Sequence, residues 1–92
     1  MESAGIIEYE KVHILNITNG NRLDTYAIKG SKGSGCIKIN GAAAHHVNVD
    51  DLIIIVSYCQ LENHEIKSHE PNIVHVDSHN KIVSISTHEL SI

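Results

Sequence analysis

The chain has 92 residues, a formal charge of -4 and seven Lys and Arg in total, all scattered singly along the sequence. This charge excludes the basic patch that binds a phosphate backbone, so we expect no nucleic-acid partner. The longest apolar run covers residues 52–56, far below the roughly 20 residues of a membrane-spanning helix. Residues 1–4 also do not resemble a signal peptide. We therefore expect a cytoplasmic protein with no membrane partner.

Short strands separated by turns are predicted from the start of the chain. Residues 11–17 and 22–29 read as two strands around the Asn-Gly pair at residues 19–20, a pair that favours a tight hairpin turn. Residues 30–35 are rich in Gly and Ser and predict a flexible loop. Residues 36–40 alternate apolar and polar side chains, which predicts a further short strand.

The second half begins with an Ala-rich segment at residues 41–46, which predicts a turn followed by one or two helical turns. Residues 52–61 contain a continuous Ile and Val run, typical of a central strand covered on both faces. Polar residues 62–70 predict a short surface helix or an irregular crossover. Residues 72–76 and 81–86 alternate around a polar turn, which predicts a second hairpin.

The composition favours a mainly β fold. There is no Trp and no Phe, and β-branched aliphatic residues that suit pleated sheet provide most of the apolar volume. About six short strands with short helical insertions predict a small closed or nearly closed barrel, formed as a single domain over residues 1–92. Cys36 and Cys59 lie in apolar strand-like segments without CxxC spacing, so we interpret both as small core or sheet residues.

Several segments taken together resemble one enzyme family. They are residues 16–28 (NITNGNRLDTYAI), 39–45 (INGAAAH) and 51–55 (DLIII), supported by residues 4–6 (AGI) and 71–74 (PNIV). In this order they closely resemble aspartate 1-decarboxylase, and the resemblance covers nearly the whole chain.

The resemblance implies a double-psi β-barrel that assembles as a homotetramer with active sites at subunit junctions. It implies decarboxylation of L-aspartate to β-alanine for pantothenate biosynthesis. In this family a zymogen cleaves itself at a Gly-Ser bond, and the Ser becomes a pyruvoyl cofactor. The pyruvoyl carbonyl forms a Schiff base with the substrate amine and accepts the electrons released with carbon dioxide.

The resemblance places three site residues on the second strand. It implies that Arg22 binds the side-chain carboxylate of the substrate, that Tyr26 is the catalytic proton donor, and that Thr25 contributes to self-processing and substrate binding. Without it, Arg22 would read as an exposed cation beside a turn and Tyr26 as a barrel-wall residue. Strand alternation puts Arg22 and Tyr26 on one face, with Cα atoms roughly 13 Å apart. Thr25 then faces the other way unless a bulge or another strand reconciles the two roles.

The resemblance also implies that Gly41, Ala42 and Ala43 hold the substrate. Small residues would let backbone N–H groups approach a carboxylate at the start of a helical turn, although an ordinary strand-to-helix turn would have the same composition. Asn40 would orient the adduct or the precursor loop, and Ile54 would line the apolar wall.

A metal site is not expected, although the chain has eight His. Ligand pairs normally need i, i+4 spacing on a helix or a supporting set of carboxylates or thiolates. His45 and His46 are adjacent, His64 and His69 are five residues apart, and His75 and His79 flank a predicted hairpin turn instead of lying on a helix.

The family's Gly-Ser processing pair precedes the segment at residues 4–6, and this chain starts just upstream of that segment. The pairs Gly30-Ser31 and Gly33-Ser34 lie in a loop where the family does not process itself. We therefore expect no Ser in this chain to form the pyruvoyl group, and the chain alone to be inactive. A start at an internal Met is the favoured explanation, and a separate N-terminal chain or a degenerate homologue are the others.

The alternative function is a non-catalytic double-psi barrel that serves as a binding or structural subunit.

Overall fold

The structure is a computed structural model that describes residues 1–86 in two compact units. The sheet unit comprises Glu8–Lys29 and Ile37–Tyr58, and the hairpin unit comprises Met1–Ile7, Gly30–Cys36 and the residues from Cys59 onward. The described elements are strands β1 Lys11–Asn16, β2 Arg22–Tyr26, β3 Ile53–Val56, β4 Ile73–Val76 and β5 Ile82–Ser86, and a 3₁₀ helix Gly41–His46. The mainly β prediction is confirmed, whereas closure into a double-psi barrel and the single domain over residues 1–92 stay predictions.

The sheet unit contains an antiparallel three-stranded sheet in the order β2-β1-β3. Val12 and Ile14 of β1 are each 3% exposed and form the core side of the central strand, because alternate side chains of a strand point to one face. The register pairs Ile14 with Leu23 of β2 and with Ile55 of β3. These pairs place aliphatic side chains from all three strands on one face of the sheet.

The turn between β1 and β2 confirms the predicted first hairpin. Gly20 has a φ of +78°, a left-handed conformation that glycine adopts without strain. Its N–H donates to the Asn16 carbonyl at 2.8 Å, and the Asn16 N–H donates to the Asn21 carbonyl at 2.8 Å. These two bonds close the turn and set the register of the strands that it joins.

Strand β3 corrects the expectation of a buried central strand. It lies at an edge of the sheet and pairs with β1 alone among the described strands. Ile54 and Ile55 are 47% and 39% exposed, so its two faces are not covered within residues 1–86. A continuous apolar run indicates a strand, but it does not by itself fix the position of that strand in a sheet.

The segment before the 3₁₀ helix also differs from expectation. Residues 36–40 form no strand, because five alternating residues find no partner strand with which to pair. The following segment does turn into a short helix, as its Ala content predicted, although the helix is of the tighter 3₁₀ type.

The hairpin unit confirms the second predicted hairpin, in which β4 and β5 pair antiparallel with an irregularity between His75 and Val76. The Asp77 N–H donates to the Lys81 carbonyl at 2.9 Å across the turn. The Asp77 carboxylate accepts the backbone N–H groups of Lys81 and His79, and these bonds hold its pKa below the ordinary value. Residues 62–70 form irregular turns, which agrees with the second of the two alternatives for this segment.

The interpretation of the two cysteines as core residues is wrong. Both Cys36 and Cys59 are exposed free thiols, and neither belongs to a described strand. Small apolar side chains in short polar-flanked segments are not reliably buried in a chain with this little core. No helix among residues 1–86 combines the length and the apolar character that crossing a membrane requires.

Candidate active site

One face of the sheet carries most of the predicted strand residues. The register places Leu15 opposite both Arg22 of β2 and Ile54 of β3, so these three side chains share a face. Tyr26 lies on the same face because it is four residues beyond Arg22 on the same strand. We call this the arginine face; it consists of Lys11, His13, Leu15, Arg22, Asp24, Tyr26, Ile54 and Val56.

Arg22 is an exposed cation of this face. Its side chain is exposed, and within residues 1–86 it forms no hydrogen bond or salt bridge. A guanidinium without an internal partner retains all of its donors for a carboxylate ligand. Arg22 is therefore chemically suited to bind an anionic ligand.

Tyr26 ends β2 and is 57% exposed. Its ring lies 6.5 Å from that of Tyr9, centroid to centroid, at an interplanar angle of 46°. This tilted contact limits the directions in which the ring of Tyr26 can point while the phenol remains open to solvent.

Thr25 faces away from Arg22 and Tyr26. It is half-buried and pairs with Val12, whose side chain lies on the core side of the sheet. The register runs without interruption from Arg22 to Tyr26, so no bulge turns Thr25 toward its neighbours. Strand alternation predicted this orientation, and the structure does not bring Thr25 together with the arginine face.

The segment at Asn40 to Ala43 lies beside the same strand, since the 3₁₀ helix contacts β2. Gly41 has a φ of +66°, and a Cβ added there would meet no atom within 4 Å. Ala42 is exposed, and Asn40 precedes the helix without a capping bond from its side chain. Open space at Gly41 and an exposed Asn40 side chain without a capping bond leave this segment accessible to a small ligand within the part of the chain that the structure describes.

Asn16 is a positioning residue that the sequence argument missed. It is 2% exposed, and its Nδ2 donates to the His46 carbonyl at 3.2 Å and to the Asp51 carboxylate at 2.8 Å. Its Oδ1 accepts the N–H groups of Thr18 and Asn19 at 3.0 and 3.3 Å. One buried amide thus joins the β1–β2 turn, the end of the 3₁₀ helix and the segment before β3. An Asn two residues before the Thr18 of a Thr-Asn-Gly turn was the available signal, because Asn side chains bond the backbone two residues on.

Asp51 completes this junction. Its carboxylate also accepts the Asn48 N–H at 2.8 Å, and the bonds from Asn48 and then Asn16 hold the pKa of Asp51 below its ordinary value. The Leu52 N–H donates to the Thr18 hydroxyl at 2.9 Å, which ties the start of β3 to the turn.

A second network that the sequence argument missed lies on the arginine face itself. Asp24 accepts from His13 Nε2 at 2.7 Å, and its other oxygen lies 3.6 Å from Lys11 Nζ. The opposite ring nitrogen of His13 lies 3.0 Å from the Tyr58 hydroxyl. This network occupies the stretch of the face between Arg22 and Tyr26.

The remaining histidines do not form a cluster in the described part of the chain. No group of three or more His, Cys, Asp or Glu side chains within residues 1–86 is arranged to hold a metal ion. Cys59 and His69 approach each other in the hairpin unit, with Sγ and Nε2 3.8 Å apart. Both side chains are exposed.

Comparison with known proteins identifies the family. Residues 1–83 match the family model described as aspartate decarboxylase. The chain belongs to the aspartate decarboxylase family. It is 56% identical over 89 residues to the aspartate 1-decarboxylase of Caldicellulosiruptor saccharolyticus, a match that covers 97% of this chain and 70% of that protein.

Two other relatives agree with this assignment. The aspartate 1-decarboxylase of Clostridium kluyveri is 51% identical, with the same shares covered, 97% and 70%. That of Corynebacterium efficiens is 53% identical over 85 residues, covering 92% of this chain and 62% of the relative. The arginine face and the segment at Gly41 therefore belong to a chain of the aspartate decarboxylase family, within the matched residues.

Proposed function

We propose that this chain forms the substrate-binding and proton-donor part of a pyruvoyl-dependent aspartate 1-decarboxylase. The observation that carries the proposal is the exposed guanidinium of Arg22, which has no hydrogen bond or salt bridge within residues 1–86 and lies on the same sheet face as Tyr26, in a member of this family. The reaction would convert L-aspartate to β-alanine, with the α-carboxylate leaving as carbon dioxide and a proton taking its place on the α-carbon.

Arg22 binds the side-chain carboxylate of L-aspartate, the group that the reaction leaves unchanged. The planar fork of a guanidinium can donate two parallel hydrogen bonds to one carboxylate, which fixes its orientation as well as its position. A hydrogen bond to a charged group contributes about 1.5–3 kcal/mol, so loss of this contact should weaken binding roughly 10- to 100-fold.

Tyr26 donates the proton that the α-carbon receives. A phenol hydroxyl can donate its proton, and the exposed position of Tyr26 on the arginine face leaves this hydroxyl accessible to a ligand. Arg22 and Tyr26 are roughly 13 Å apart along the strand, so they reach one small ligand either by converging side chains or across a subunit boundary.

The segment from Asn40 to Ala43 holds the reacting end of the substrate. Gly41 leaves open space where any other residue would project a Cβ, so backbone N–H groups can approach a carboxylate closely. The exposed amide of Asn40, which does not cap the helix, can donate or accept a hydrogen bond beside them. Ile54 adds an apolar side chain on the same face as Arg22.

The donor types fit a pyruvoyl group, because a cation and a phenol on β2 and an amide just before the adjacent 3₁₀ helix are the kinds of group that can hydrogen-bond its carbonyl oxygens. Tyr26 and Asn40 would hold that group. When bound, it supplies a carbonyl that takes up the electron pair left by carbon dioxide. The protein's own residues bind the substrate, orient it and deliver the proton.

The test compares two polypeptides for formation of β-alanine from L-aspartate. The 92-residue polypeptide alone should form none, because its Gly-Ser pairs lie in the loop at residues 30–35. The same polypeptide extended at its N-terminus by the family's segment with a Gly-Ser processing pair should cleave itself and form β-alanine. Turnover by the unextended polypeptide would contradict the proposed source of the pyruvoyl group.

Arg22→Ala in the extended polypeptide separates the enzyme from the alternative of a non-catalytic barrel subunit. We expect self-cleavage to continue and the KM for L-aspartate to rise. If the extended polypeptide with Arg22 unchanged cleaves itself but forms no β-alanine, the binding or structural subunit is favoured instead.

The assembly and setting of the enzyme are part of the same proposal. We propose a cytoplasmic homotetramer, either of one processed chain or with a separately made N-terminal chain, that provides β-alanine for pantothenate biosynthesis. The exposed aliphatic side chains of β3 support association, since burial of such surface stabilises oligomers. Light scattering on the purified protein would give the number of chains.

A further inference from the structure

We propose that His13 is a positioning residue that holds the Asp24 carboxylate away from Arg22 and so keeps the guanidinium available for the substrate. The inference rests on the proposed function and deepens it, since it assigns the residue that protects the carboxylate-binding arginine from an internal competitor.

Asp24 is the competitor because of its place on β2. Arg22 and Asp24 are two residues apart on one strand, so they share the arginine face with Cα atoms roughly 7 Å apart. An arginine side chain can span this distance to a carboxylate. An ion pair between them would occupy the donors that the substrate needs, and a free Asp24 carboxylate would also repel a substrate carboxylate.

The structure shows the Asp24 carboxylate turned toward β1 instead. Its Oδ1 lies 2.7 Å from His13 Nε2, and its Oδ2 lies 3.6 Å from Lys11 Nζ. His13 is the direct cross-strand partner of Asp24 in the register. The hydrogen bond from His13 is the shorter contact, so we assign the positioning role to His13 and a supporting role to Lys11.

His13 is itself held in orientation from its other side. Its Nδ1 lies 3.0 Å from the Tyr58 hydroxyl, and the two rings meet edge to face with centroids 5.0 Å apart and an interplanar angle of 77°. A carboxylate only accepts hydrogen bonds, so Nε2 of His13 must carry the hydrogen that points at Asp24. Contacts on both ring nitrogens therefore fix which atom faces the carboxylate.

Loss of the His13 donor should release Asp24 toward Arg22. Asp24 is 58% exposed and Arg22 is also exposed, so an ion pair between them would be screened and weak. We expect L-aspartate to bind about two- to fivefold more weakly in His13→Phe, which keeps a ring against Tyr58 but has no donor. The difference should shrink at high salt, because salt screens exposed ion pairs.

The experiment is a double-mutant cycle on the 92-residue chain with His13→Phe, Asp24→Asn and both together. The first measurement is the Nε–H signal of Arg22 in two-dimensional ¹H–¹⁵N NMR spectra without ligand. It should move in His13→Phe and return in the double variant, in which no carboxylate is left to reach Arg22. The second measurement is calorimetric binding of L-aspartate, which should be weaker in His13→Phe and rescued by adding Asp24→Asn.

Two further variants keep the test decisive. His75→Phe changes an exposed strand histidine in the hairpin unit and should leave the Arg22 signal in place. Should His13→Phe fail to fold, Lys11→Met removes the other contact of Asp24 at an exposed site and should move the Arg22 signal in the same direction by a smaller amount.

The outcomes separate this inference from the proposed function. An Arg22 signal that stays in place in His13→Phe, or that moves without rescue by Asp24→Asn, overturns the role of His13. Arg22→Ala binding L-aspartate as tightly as the unchanged chain contradicts the proposed function, whatever the signal of Arg22 does in the His13 variants.

Discussion

Asn16→Ala removes the side chain that joins the β1–β2 turn to the end of the 3₁₀ helix. The two N–H groups that Oδ1 accepts belong to Thr18 and Asn19, which are exposed, so water replaces the lost acceptor for both. The two bonds from Nδ2 are part-buried, and solvent offsets their loss less fully than it does for the exposed turn. At roughly 0.5–1.5 kcal/mol each, they predict a loss of about 1–3 kcal/mol in the free energy of unfolding.

Urea denaturation followed by circular dichroism would measure this loss, and the melting temperature should fall by about 4–8 °C per kcal/mol. Asn19→Ala is the matched control, since Asn19 also donates to the His46 carbonyl, at 3.1 Å, but is exposed. It should cost less than about 1 kcal/mol because exposed groups regain water partners. Equal losses in the two variants would refute the junction role of Asn16.

Three further predictions concern the site and its surroundings. Tyr26→Phe in the extended enzyme should lower kcat by about 10²- to 10⁴-fold with little change in KM, whereas Tyr9→Phe should retain activity; similar kcat values for the two would contradict the proton-donor role. Gly41→Ala should destabilise the fold by about 1–2 kcal/mol because of its φ of +66°, and thermal melts of Gly30→Ala, a glycine without positive φ, should show little change. Folding lowers the pKa of the Asp51 carboxyl from its ordinary 3.8. The ionised carboxylate therefore stabilises the fold fully above pH 3.8, and this stabilisation is lost as the pH falls through the lowered pKa. Melting temperatures of Asp51→Asn should accordingly change less with pH below about 4 than those of the unchanged chain.

Local turn chemistry made the hairpins predictable. The Asn-Gly pair at residues 19–20 and the polar turn before Lys81 each require backbone conformations that few residues adopt, so short segments carried enough information. The Ala-rich segment at residues 41–46 was predictable for a similar reason, since helical propensity acts over one or two turns.

Features that depend on distant partners were not predictable. Residues 36–40 alternate like a strand, but a strand needs a neighbour, and no local pattern states whether one exists. The edge position of β3 depends on the pairing order of the sheet in the same way. The network of His13, Asp24 and Tyr58 joins residues up to 45 positions apart. Contacts between residues so far apart cannot be predicted from a single sequence.

For the site residues, too, local spacing predicted the arrangement but not the roles. Arg22 and Tyr26 share a face because strand period alone requires it, and this much followed from their spacing. Their functional roles came from the family resemblance and stay predictions, as do those of Thr25 and Ile54.

The β1–β2 turn determines which side chains of β2 lie on the accessible face of the sheet. A strand presents neighbouring residues to opposite sides, so a slip of one residue in the pairing with β1 would exchange every side chain of β2 between the two faces. Thr25 would then take the open side, and Tyr26 would turn toward Val12 in the core. The hydrogen bonds that close the turn at Gly20 and Asn21 therefore determine whether the Thr25 or the Tyr26 hydroxyl lies on the face that a substrate can reach. Insertion or deletion of a single residue in that turn would therefore alter the reactive surface while leaving each functional residue in the sequence.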